Sequence, residues 1–99
     1  MQIRRLRDII ELAVRSTGVD IVPEVFRSGG YVFFFYMNEG HEPMHVHVRR
    51  AGGFAKFWVE PVTLAYAEAM KVRELATAER MIREHLDLIK RRWREVFNL

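Results

Sequence analysis

The chain contains no cysteine. Disulfides, thiolate zinc sites and cysteine nucleophiles are therefore excluded together, and a reducing cytoplasm is the compartment that fits. Long hydrophobic runs are also missing: the longest, Tyr31–Met37 (YVFFFYM), is far too short to cross a bilayer. The basic N-terminus, Met1–Asp8, is not followed by an apolar stretch of signal-peptide type. There are no internal repeats, low-complexity stretches or linkers, and 99 residues leave no room for a second core. Together these absences point to one soluble, cytoplasmic domain spanning 1–99 with no membrane contact. A chain this short has a modest stability margin, so a homodimer is an economical way to bury more surface.

What is present is the balance of an ordinary globular protein, 49% hydrophobic and 29% charged. The net charge is +3 and the sequence pI about 9.7, and most of the cations are arginine. Arginine suits carboxylate and phosphate contacts, but so mild a charge makes nucleic acid only one partner among several.

Hydrophobic spacing orders the chain. Ile3, Leu6, Ile10, Ala13 and Val14 share one face of a helix over 2–16, and Gly18 stops it, giving an N-terminal helical segment over 1–18. Pro23 and the β-branched residues around it predict extended chain over 19–27. Ser28-Gly29-Gly30 is a turn, and Tyr31–Met37 reads as a central strand, so 24–36 forms a hairpin. Met44–Arg50, a turn at Ala51-Gly52-Gly53, and Phe54–Val59 form a second hairpin. Val62–Ala67 is a candidate fifth strand, with Ala65–Met70 ambiguous between strand and helix. Leu75, Ala78, Ile82, Leu86, Ile89 and Trp93 predict one long helix over Val72–Val96. The expected fold is α+β: a small antiparallel sheet of four to five strands in two hairpins, packed by an N-terminal and a long C-terminal helix.

The chemistry concentrates in Asn38–Val48 (NEGHEPMHVHV). His45 and His47 stand two apart on a strand, so both imidazoles face one way, with Val46 and Val48 facing the other. His41 lies in the preceding loop, and Glu39 and Glu42 add carboxylates. Three imidazoles with an open position is a composition that catalytic zinc sites use, and other divalent first-row transition metals accept it. His41, His45 and His47 are thus the candidate metal ligands. Glu42, His45 and His47 are the candidate catalytic residues, with Glu39 or Glu42 as general base. His41-Glu42-Pro43-Met44-His45 spells H-E-x-x-H, but that motif works only on a helix, and Pro43 disfavours helical geometry at Glu42. A half-exposed sheet with structural histidines produces the same pattern. His85, at the edge of the apolar arc of the last helix, is the remaining histidine able to join the site. Glu60 and Lys56 border the same face and read as strand-end solvation.

On the last helix Arg80, Arg83, Lys90, Arg91 and Arg94 fall in one arc of roughly 100°. They form either a surface for an acidic partner or nucleic acid, or a solvated face paired with Glu84 and Asp87.

The stretch Gly30–Val48, with its N-E-G-x-E-P-x-H-V-H-V core, resembles the signature of domain-of-unknown-function family 4160 (DUF4160). The likeness continues through Ala55–Trp58, Pro61-Val62 and Leu64, and through Arg73-Glu74-Leu75 to Trp93 and Phe97, covering 23–97. The resemblance implies a small prokaryotic protein with central strands and a C-terminal helix. It also implies a partner, a small protein encoded nearby, the two forming a toxin–antitoxin-type pair. This chain departs from the pattern in its added N-terminal helix, in Lys71 where a serine-type N-cap is usual, and in Met44 in place of proline. Two functions remain open on these residues: a binding module with a protein partner and RNA or DNA, or a metal-dependent hydrolase or nuclease. A metal-free acid–base nuclease is a third.

Overall fold

The structure is a computed structural model that describes residues 22–98. The N-terminal helix expected from the sequence lies outside the described residues.

Five strands form one antiparallel sheet whose spatial order is the chain order: β1 (Glu24–Ser28), β2 (Tyr31–Phe34), β3 (His45–Arg50), β4 (Gly53–Val59) and β5 (Val62–Glu68). Two helices follow, α1 (Val72–Glu84) and α2 (Leu86–Phe97). The fold is α+β. The β1–β2 connection is the two-residue loop Gly29-Gly30, with φ of 55° and 85°. Positive φ at both central positions is the turn that matches strand twist, and glycine adopts it without a Cβ clash.

One expectation is extended and another corrected. The candidate fifth strand is present as Val62–Glu68, paired to β4, so the sheet runs through four successive antiparallel pairs where two hairpins were expected. Its residues Thr63–Ala67 are exposed, so no alternation marked it in the sequence. The single long helix is two, parted at His85, whose φ of −113° and ψ of 23° leave the helical region. There the His85 N–H is shared between the carbonyls of Met81 (3.0 Å) and Ile82 (3.2 Å), while ring Nδ1 also donates to Met81 O at 2.8 Å. The ring is held in that position by stacking on Phe26 of β1 at 4.1 Å. A side chain competing for the ladder's own acceptor is a recognised cause of a helix break.

The apolar run of β2 and the two residues after it serves two faces. Phe33 and Phe35 join Val46, Val48, Ala55 and Phe57 beneath Ala78, Ile82, Ile89 and Trp93 of the helices. Phe34 and Tyr36 turn to the opposite face, where they cluster with Phe54. This period of two also decides the histidines: Val46 and Val48 enter the helix-side core, so His45 and His47 stand on the other face. At α1, Lys71 cannot accept a bond as an N-cap side chain; instead Glu74 reaches back to accept from the Lys71 N–H at 2.8 Å.

Candidate metal centre

The chain between β2 and β3 turns sharply. After Tyr36 a 3₁₀ turn, Met37–Glu39, reverses it, closed by a hydrogen bond from Glu39 N–H to Tyr36 O at 3.3 Å. The turn carries the Glu39 side chain back over the start of β3. There Oε1 of Glu39 lies 2.8 Å from His45 Nε2 and 2.6 Å from His47 Nε2. The three donor atoms lie within 4.8 Å of one another, and among the described residues this is the metal-type cluster that forms.

Each ring is held by its surroundings. His45 Nδ1 lies 2.8 Å from the carbonyl oxygen of Pro43. A carbonyl only accepts, so Nδ1 carries a proton. The ring is fully buried, with Trp58 and Trp93 edge-on at 5.6 and 5.0 Å. His47 is stacked on Phe34 at 5.6 Å and on Phe54 at 5.5 Å, with Tyr36 at 4.4 Å. Its Nδ1 is buried and makes no hydrogen bond.

The electrostatics follow from this packing. Burial alone would raise the Glu39 carboxyl, but the hydrogen bonds and charges of His45 and His47 outweigh it and hold the group far below the ordinary carboxylate range. Burial pushes His47 down from 6.5, and the Glu39 carboxylate only partly offsets it. His47 therefore donates Nε2–H to Glu39 as a neutral ring. Since Nδ1 of His45 is already a donor, a neutral His45 would turn a bare Nε2 lone pair toward the same carboxylate. Two acceptors face each other there unless a proton or a cation stands between them.

The structure brings together Glu39, His45 and His47 and leaves the other candidates elsewhere. His41 is exposed and outside the cluster, in the turn beyond Gly40. Glu42 is occupied by Lys56 Nζ at 2.9 Å, and Glu60 by Lys90 at 3.3 Å. His85 sits at the helix break against Phe26. Of the arginine arc, Arg80 pairs with Glu84 (3.0 Å) and Arg83 with Glu79 (3.2 Å). Arg91 and Arg94 are exposed and make no ion pair among the described residues. The sequence offered His41 as the third metal ligand and Glu39 as a general base, whereas the cluster that forms contains Glu39 and not His41. Distance along the chain favoured both, and only the tight turn after Tyr36 separates the one that faces β3 from the one that does not.

A cavity of about 380 Å³, lined by Pro43, Met44, Trp58, Glu60, Pro61 and Thr63, lies near the centre. Trp58 borders both, but none of the three donors lines the cavity. Among the described residues no helix is long and apolar enough to cross a membrane.

A five-stranded antiparallel meander backed by two helices, with a carboxylate and two imidazoles converging where β2 returns as β3, defines a small α+β protein with a candidate metal centre. The chain belongs to the family described as Domain of unknown function (DUF4160), whose model matches residues 30–94. All three donors lie inside that match. No curated protein and no solved structure matches the chain.

Proposed function

We propose that the protein is a binding module built around a divalent first-row transition-metal ion held by Glu39, His45 and His47. The observation that carries this reading is the His45 ring. Its Nδ1–H is spent on the Pro43 carbonyl, which is the arrangement that orients a metal-ligating histidine and frees Nε2 for the ion. Around a tetrahedral ion with bonds near 2.0–2.1 Å, neighbouring donors stand about 3.3 Å apart. The present separations of 2.8 and 2.6 Å are the closed, hydrogen-bonded form of that set. The carboxylate has to withdraw by roughly half an ångström to admit the ion, and it sits on a short turn rather than inside a strand.

Three protein donors leave a fourth position open. This feature favours the second reading, a metal-dependent hydrolase or nuclease. Burial favours binding over catalysis: His45 is 0% and His47 3% exposed, so a substrate would have to approach past Glu39. Glu42, held by Lys56, is poorly placed to act as base. The binding-module reading takes a toxin–antitoxin-type role in the cytoplasm, with a small protein encoded nearby as partner. Arg91 and Arg94 are where that partner or a nucleic acid would be contacted.

The test is zinc titration and elemental analysis of the full chain purified without a histidine tag. One equivalent of zinc is expected in the wild type and in His41→Ala. Weaker binding is expected in Glu39→Gln, and none in the His45→Ala/His47→Ala double variant. Zinc binding that ignores the double substitution would sink the proposal.

A further inference from the structure

Gly40 follows the carboxylate ligand, yet nothing in its backbone calls for glycine. Its φ of −65° and ψ of −16° are ordinary right-handed values that any residue adopts. What excludes a side chain is Phe97, the last residue of α2. A Cβ on Gly40 would stand 2.5 Å from Phe97 Cδ1, 2.8 Å from Cγ and 3.1 Å from Cβ. Contact with the whole base of the side chain means that rotating the ring cannot relieve it.

Phe97 is itself anchored. It packs on Trp93 at 4.5 Å and on Phe35 at 6.0 Å, and Trp93 stands against His45 at 5.0 Å. The end of α2 thus touches the centre at two points: directly on one imidazole, and through Gly40 on the turn that carries the carboxylate. Among the described residues the turn's main-chain bonds are local, Glu39 N–H to Tyr36 O at 3.3 Å and Glu42 N–H to Glu39 O at 3.1 Å, and its cross-links are the side-chain bonds of Glu39 and Glu42.

We infer that Phe97 is a positioning residue for Glu39, holding the carboxylate-bearing turn over His45 and His47 from behind through Gly40. The inference rests on the metal reading given above and adds its regulation: docking of the end of α2 and occupancy of the centre are linked. Whatever pulls the end of α2 from the sheet loosens the carboxylate, and a bound ion strengthens the docking in return.

The test is zinc affinity of the full chain, by competition with a chromophoric chelator. Groups that orient a metal ligand from outside typically carry a tenfold to hundredfold effect on affinity. Phe97→Ala is expected to weaken zinc by about tenfold, and Gly40→Ala, which forces the same contact from the other side, by a similar factor. Phe97→Leu, which refills most of the space, restores affinity to within about threefold and serves if Phe97→Ala does not fold. In a Glu39→Gln background, where zinc is held by the two imidazoles, the Phe97 substitutions are expected to lose most of their effect on affinity, the remainder passing through Trp93 to His45. Equal losses in both backgrounds, or zinc affinity indifferent to Phe97 and Gly40 while the wild type binds tightly, would overturn the positioning role and leave the metal centre standing. A wild type that binds no zinc would overturn both.

Discussion

His45 gives its Nδ1 proton to the main-chain oxygen of Pro43, two residues earlier, across 2.8 Å. The bond is local, so it survives changes at Glu39 and fixes which nitrogen is left to face the centre. Long-range proton–nitrogen spectra of the metal-free protein should show a protonated Nδ1 on His45. Zinc should shift its Nε2 resonance while Nδ1 keeps its proton. A ring protonated on Nε2 alone would contradict the structure.

The metal-free protein should lose stability on acidification in two overlapping stages. His47 is held below 6.5 by burial, so as pH falls through about 6.5 the unfolded chain takes up a proton that the folded chain refuses. Glu39 is held below its ordinary 4.5 by its two histidine partners, so its contribution is present above that value and lost as pH falls beneath it. Both signs agree: the unfolded state binds more protons in each window. Thermal melts below pH 4.5 should show a midpoint that falls more steeply in the wild type than in Glu39→Gln, and an equal or shallower fall in the wild type would refute the description of the site.

Burial separates His47 from His41. His47 is stacked on Phe34 and Phe54. His47→Ala opens a cavity between them and should cost roughly 2–4 kcal/mol in urea melts of the metal-free protein. His41 is exposed, and His41→Ala should stay within about 0.5 kcal/mol. Comparable effects at the two positions would mean that His47 is not packed as described.

Ala51, in the two-residue loop between β3 and β4, has φ of 51°. An alanine in the left-handed region carries a Cβ clash worth roughly 1–2 kcal/mol, part of which glycine returns as unfolded-state entropy. Ala51→Gly should therefore raise stability by roughly 0.5–1 kcal/mol, with zinc affinity unchanged. A loss of stability in the same melts would mean that the loop has another conformation.

Much of the sheet was legible because its signals are local. Ser28-Gly29-Gly30 marked one turn, Ala51-Gly52-Gly53 another, and the alternation across His45–Val48 assigned the faces of that strand. β5 was half hidden, since Thr63–Ala67 lie exposed and carry no period. The helix break was invisible because the His85 ring that marks it stacks on Phe26, a residue 59 positions away. At the site, the pair His45/His47 followed from strand geometry alone. Choosing Glu39 over His41 required the pitch of one 3₁₀ turn, which composition does not encode, and nothing local at Gly40 announces its clearance for Phe97.

The donor set is also close in sequence: Glu39 lies six residues before His45 and eight before His47. Closing so short a loop costs little entropy, so under the proposed metal reading the same segment would also bind the ion in a chain that has not yet acquired its sheet. Zinc taken up by the unfolded chain subtracts from what zinc adds to the folded one. If the folded centre takes zinc as proposed, the shift of the melting point with zinc should then understate the affinity of the native protein, because the same short segment would hold the ion before the sheet has formed.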